Sequence, residues 1–224
     1  MAQFAQQPDR DIRELPPREV VNREVTESTV RGIANPIPLG LGALAFTTAV
    51  LGCSYAGFIV PSLRSGLSVV VAAALFYGGI VQILAGMWAF RRDNTIAATV
   101  FSSYGGFLVA FGVLFLPSFG LTSSLSANGL HAALGLLFLC WTIFTGVLFL
   151  GSLRSSAAMM LVLVLLFFCF LFLTIGQLAS ANTVLLAIGG WIGIATGIVA
   201  WYTAWAGMLN ATNSPYKLPM GMMR

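Results

Sequence analysis

Residues 156–177 read SAAMMLVLVLLFFCFLFLTIGQ, an apolar run without a single Asp, Glu, Lys or Arg. An α-helix needs about 20 such residues to cross the hydrocarbon core of a bilayer, roughly twice what a barrel strand needs. Helices and closed barrels are the only backbones that satisfy their own hydrogen bonds in lipid. The length of the run therefore decides for helix. Five comparable stretches accompany it, at 38–59, 67–89, 95–116, 130–150 and 183–206. The chain is expected to be all-α, a polytopic membrane protein with six transmembrane helices.

Composition agrees with this expectation. Charged residues make up 8% of the chain and hydrophobic ones 58%, whereas a soluble domain carries about 25% charged residues because water surrounds it. The connections at 61–66, 90–94, 117–129, 151–155 and 178–182 are short and leave no room for a soluble catalytic domain. Residues 1–33 differ sharply, being rich in Arg, Glu, Gln and Pro, and lack the apolar stretch of a signal peptide. They are expected to form a disordered tail. Residues 34–210 then make the transmembrane domain and 211–224 a C-terminal tail.

Charge sets the expected orientation. With six spans, Arg10, Arg13, Arg18, Arg23, Arg31, Arg91, Arg92, Arg154, Lys217 and Arg224 share one side, and Arg64 is alone on the other. Basic residues gather on the cytoplasmic side, so both termini are expected there. The net charge of +4 is accordingly a topology signal and gives no reason to expect a nucleic-acid partner. Cys53, Cys140 and Cys169 all fall within spans, without metal-ligand spacing, and read as small buried hydrophobes.

Acids are absent where many cation carriers need them. Six of the seven lie in the N-terminal tail, and after Asp93 there is none. No span holds a carboxylate, so an intramembrane ion relay built on acids has nothing to use. The lone histidine, His131, opens the fourth span. Metal sites and hydrolytic centres need clusters of His, Asp or Glu; the chain is expected to be no enzyme and to hold no metal and no cofactor. For His131, an interfacial imidazole and a pH sensor both stay open.

The polar groups that remain within the spans are few. In Asn35-Pro36-Ile37-Pro38-Leu39-Gly40-Leu41, Asn35 suits an N-cap and Pro36 the first helical position. Such a helix start attracts an anion through its dipole, or is merely a tidy way to begin a helix. Tyr104 sits near the middle of the third span, away from the interfaces that tyrosine prefers. Its hydroxyl needs a partner, either across a helix seam or in a polar path. Ala74, Gly78, Gln82 and Gly86 recur every four residues, placing Gln82 in a small-residue seam as glue or as ligand. Gly189, Gly193 and Gly197 form a doubled GxxxG ridge for helix packing, within or between subunits. Gln177, at the end of the fifth span, is a candidate for an outer vestibule.

With these residues in view the sequence resembles the acetate uptake transporter family, the bacterial succinate–acetate permeases and the yeast acetate and ammonia-export proteins. The resemblance rests on Asn35 to Leu41 followed by Thr47-Thr48, on Phe76-Tyr77-Gly78-Gly79 with Gln82, Ala85 and Gly86, and on Asn94-Thr95. It continues through Phe101, Ser103-Tyr104-Gly105, Gly190-Trp191-Ile192-Gly193, Leu209-Asn210 and Leu218-Pro219. It implies transport of acetate, and of succinate in some members, as a proton-coupled permease or an anion channel in the plasma membrane. It also implies a homo-oligomer, a hexamer with a pathway through each subunit, whose partners are a small carboxylate and the lipid bilayer. By alignment with the family's motifs, Leu44, Tyr104 and Leu166 would narrow that pathway, with Ala200 a further lining residue. Leu44 stands where the family often has Phe, which would make the constriction wider. Asn35, Pro36, Gln82, Tyr104 and Gln177 are the expected substrate contacts. Ammonia or ammonium export and a non-transporting scaffold are the alternatives.

Overall fold

The computed structural model describes residues 32–59, 63–153, 155–212, 215, 216, 218 and 219. All but the last two residues of the expected tail 1–33 lie outside the described residues, as does most of 213–224. Among the described residues six helices are long and apolar enough to cross a membrane, and there is no strand. They are α1 (Ile37–Ala56), α2, α3 (Thr95–Leu114), α4 (Ala127–Gly151), α5 (Ala157–Leu178) and α6 (Thr183–Ala211). Helix α2 runs from Leu63–Ala72 through a π-helical stretch, Ala73–Val81, into Gln82–Phe90. A single 3₁₀ turn, Pro117–Phe119, interrupts the longest loop.

Local chemistry sets the helix ends. The first turn of a helix leaves backbone N–H groups without intrahelical partners, and short polar side chains supply them here. Asn94 accepts from Ala97 N–H at 3.0 Å, Ser126 from Gly129 N–H at 3.1 Å, and Ser156 from Met159 N–H at 3.3 Å. Asn182 accepts from both Val184 and Leu185 N–H at 3.1 Å. Asn35 Oδ1 accepts from Ile37 N–H at 3.1 Å, the N-cap type of bond expected of it. Pro36 is already in the α region but precedes the first helical residue, one position off expectation and within the usual uncertainty of helix ends. Helix α1 stops at Ala56, short of the expected 59, because Gly57 turns left-handed at φ 68°. Helix α6 runs on to Ala211, past the expected 206.

The helices pack in chain order around a closed ring: α1 on α2, α2 on α3, α4 on α5, α5 on α6, and α6 back on α1. The α1–α6 seam is the tightest. A Cβ added to Gly52 would lie 2.7 Å from Gly190 O and 2.8 Å from Ile194 N, and one on Gly197 would lie 2.9 Å from Ala45 O. The glycine ridge of α6 thus packs on α1 within the subunit, as small residues do where lipid supplies no hydrophobic drive. Gly40 of α1 faces the Phe101 ring of α3, where an added Cβ would meet ring carbons at 2.6 Å.

The four-residue recurrence of α2 is slightly longer than the 3.6-residue α-helical turn. The π-helical winding of Ala73–Val81 takes up the excess, so Ala74, Gly78, Gln82 and Gly86 are all buried. Gly78 abuts Thr47 of α1 and Leu108 of α3, and Gly86 abuts Ser102 of α3.

The α3–α4 seam differs from the rest, since side chains bridge backbones that stand further apart. Phe107 meets Trp141 with ring centroids 4.5 Å apart, Tyr104 meets Trp141 at 5.4 Å, and Phe111 meets Phe138 at 6.1 Å. The outer faces, such as Leu136, Ile143, Val147 and Leu150 on α4, are exposed and apolar. They suit lipid.

Candidate functional site

Inside the ring, α1 presents Leu44, Thr48, Leu51 and Tyr55, one residue per turn along a single stripe. Facing it stand Tyr104, Phe107 and Leu108 of α3, Leu166, Cys169, Phe170 and Leu173 of α5, and Gly189 and Gly190 of α6. Together they enclose a cavity of about 30 Å³, enough for a water or two at the ~10–15 Å³ each requires. Among the described residues its wall holds no charged side chain.

The structure brings Leu44, Tyr104 and Leu166 together on this cavity. The Tyr104 ring stacks on Phe170 with planes 6° apart and centroids 6.2 Å apart. Its hydroxyl turns away, to Thr145 Oγ1 of α4 at 2.7 Å. Thr145 donates its own proton to Trp141 O at 2.6 Å, so Tyr104 is the donor. The hydroxyl therefore closes the α3–α4 seam while the ring faces the cavity. Of the two expected settings for this hydroxyl, a partner across a helix seam is the one found.

The other lining hydroxyls are largely committed as well. Thr48 donates to Leu44 O at 2.7 Å, and Thr47, which also borders the cavity, donates to Ala43 O at 3.0 Å. Tyr55 is the exception: it receives a long bond from Gln177 Nε2, at 3.4 Å, and is not a donor in any bond among the described residues.

The remaining predicted residues lie elsewhere. Asn35 and Pro36 sit at the start of α1, with Asn35 exposed and Pro36 buried. Gln177 is buried at the opposite end of the bundle, its Oε1 2.8 Å from His131 Nδ1. Gln82 is fully buried on α2 outside the cavity wall, and neither of its amide atoms has a hydrogen-bond partner among the described residues. Ala200 is fully buried on α6 and likewise outside that wall. Because Gly197 meets Ala45 and Gly207 meets Pro38, Ala200 lies at a level between them, toward the Asn35 end. Reading the sequence missed Tyr55, Thr145 and Phe170. Of these, Tyr55 was accessible, since it continues the helical stripe of Leu44.

The geometry offers a small, uncharged and almost wholly apolar cavity inside the bundle. Comparison with known proteins bears on what such a cavity is for. Acetate permease A of Emericella nidulans is 38% identical over 201 residues, which cover 85% of this chain and 66% of that protein. The succinate-acetate/proton symporter SatP of Escherichia coli is 35% identical over 190 residues, covering 84% and 96%. Ammonia transport outward protein 2 of Saccharomyces cerevisiae is 35% identical over 209 residues, covering 89% and 72%. A solved structure of the bacterial acetate channel SatP superposes with a TM-score of 0.74 at 34% identity, covering 84% of this chain and 99% of that one. The profile of the GPR1/FUN34/yaaH family matches residues 19–224. This six-helix, multi-pass membrane protein belongs to the GPR1/FUN34/yaaH family.

Proposed function

We propose that the chain carries small carboxylates across the membrane, chiefly acetate with succinate as a second substrate, as a proton-coupled permease or an anion channel. The observation that carries this reading is the uncharged cavity on which Leu44, Tyr104 and Leu166 converge. A passage of this kind favours a solute with one charge and a methyl group over a strongly hydrated ion, because stripping water from charge is costly. The names of the acetate and succinate–acetate relatives support it. With no carboxylate on the cavity wall, a coupled proton travels with the substrate or along hydroxyls and water.

In this reading Asn35 and Pro36 draw the anion to the helix start, and Gln82 offers its unpaired amide along the way. Leu44, Tyr104 and Leu166 form the constriction. Ala200 extends the lining toward the Asn35 end, and Gln177 serves the opposite mouth. Residues 34–210 are the transport domain, residues 1–33 and 211–224 are cytoplasmic tails, and a homo-oligomer, a hexamer, sits in the plasma membrane. Ammonia export is the second reading, favoured by the yeast relative named for it.

Labelled acetate uptake into proteoliposomes, with and without an inward proton gradient, tests the proposal, with succinate and ammonium as competitors. Accumulation above equilibrium that vanishes with the gradient identifies a coupled permease, and saturating flux that only equilibrates identifies a channel. Ammonia flux without acetate flux shifts the assignment to export. Neither flux, beside a working control, removes transport altogether.

A further inference from the structure

We infer that the solute crosses the cavity as the undissociated acid, with its proton riding on the carboxyl group, and not as the anion. The inference rests on the carboxylate reading above and chooses between the permease and the channel that it allows. The exposed wall of the cavity is almost wholly apolar. An apolar cavity of about 30 Å³ stays dry, so no water shell accompanies an ion into it. The six spans contain no Asp, Glu, Lys or Arg to balance a charge. The hydroxyls on the wall are turned elsewhere. Tyr104 gives its proton to Thr145, and Thr47 and Thr48 give theirs to backbone carbonyls. Tyr55 meets Gln177 with its hydroxyl and the cavity with its ring.

Burying an unpaired carboxylate in such a place is so costly that the group takes up a proton instead. The wall supplies no proton for this. The titratable groups bordering it are Tyr55 of α1, Tyr104 of α3 and Cys169 of α5, while α6 contributes only Gly189 and Gly190. Tyrosine and cysteine ordinarily titrate above about pH 8. His131 is bonded to Gln177 and lies outside the wall. The proton therefore comes from bulk water. On the side of entry a carboxylate oxygen forms an O–H bond with a proton from hydronium; on the far side that bond breaks and water takes the proton. One proton and no net charge cross with each acetate, whereas succinate must take two.

The test is the initial rate of uptake into proteoliposomes at subsaturating solute and equal pH on both sides, corrected for vesicles without protein. A potential of about 100 mV is worth a factor of about fifty in the distribution of a single charge; it should leave the rate of acetate uptake within about twofold. Above the acid constants, each added pH unit should slow acetate about tenfold and succinate about a hundredfold. Fluoroacetate is close to acetate in size and a much stronger acid. Its KM in total solute should exceed that of acetate by the ratio of the two acid dissociation constants. The inference is overturned if uptake follows the potential or is flat with pH, since the anion then passes. It is also overturned if transport is electroneutral but fluoroacetate and acetate share one KM, which means that proton and anion travel apart. If no carboxylate is carried at all, the carboxylate reading itself fails, an outcome distinct from the others.

Discussion

The hydroxyl of Tyr104 donates to Thr145 across the α3–α4 seam at 2.7 Å, while the ring of the same residue narrows the cavity. One side chain thus joins two helices with its tip and borders the cavity with its body. Substitution separates the two. Tyr104→Phe should cost about 1 kcal/mol, the usual net worth of a hydrogen bond, and leave acetate selectivity in place. Tyr104→Ala should cost about 3–5 kcal/mol, as for other large aromatic truncations in cores, and admit bulkier carboxylates. Thermal unfolding in detergent read beside competition by larger carboxylates decides it. Equal selectivity in wild type and Tyr104→Ala would sink the role given to the ring.

Leu44 sits opposite on α1, almost fully buried at 2% exposure. Leu44→Ala should lower stability by about 2–5 kcal/mol and raise uptake of longer monocarboxylates relative to acetate. A ratio of butyrate to acetate flux that does not move would place the narrowing elsewhere.

Gln82 carries opposite expectations for stability and function. Its buried amide is unpaired among the described residues, a burden of about 1–3 kcal/mol for a buried polar group left unsatisfied. Gln82→Leu, similar in size, should therefore raise the melting temperature while lowering acetate uptake. A stabilised variant that transports normally would show the amide to be dispensable, and a destabilised one would reveal a partner that it needs.

At the α1–α6 seam the neighbours of Gly52 are backbone atoms, which cannot swing aside as a side chain can. Gly52→Leu should exceed the roughly 1–3 kcal/mol of ordinary overpacking and abolish a monodisperse membrane fraction. Gly106, with nothing within 4 Å of an added Cβ, provides the control: Gly106→Ala should behave as wild type. Size-exclusion profiles of the two variants make the comparison.

Much of the fold was legible because lipid imposes simple rules. Apolar length placed six spans within a few residues of those observed, and Asn35 marked the start of the first by its capping chemistry. The glycine ridge of α6 announced a close seam, although spacing alone could not say whether its neighbour lay in the same subunit. The π-helical stretch of α2 was hidden, since Phe76-Tyr77-Gly78-Gly79 is equally compatible with an α-helix. Of the site, the convergence of Leu44, Tyr104 and Leu166 came through family likeness and not through periodicity. Periodicity identifies which residues share a face, never which face lies opposite. For that reason the link from His131 to Gln177, 46 positions apart, was out of reach.

Helices that follow chain order around a closed ring have a topological consequence. The two ends of the transmembrane unit meet, with Gly207 of α6 against Pro38 of α1, so the order in which the six helices are translated is one choice among several that close the same ring. A circular permutant that joins Ala211 to Asn35 by a short linker and opens within residues 117–126 separates only α3 from α4, the seam bridged by side chains alone. Loops of this kind tolerate new termini. Such a permutant should assemble and transport, with the original first and last helices now neighbours in sequence as they already are in space.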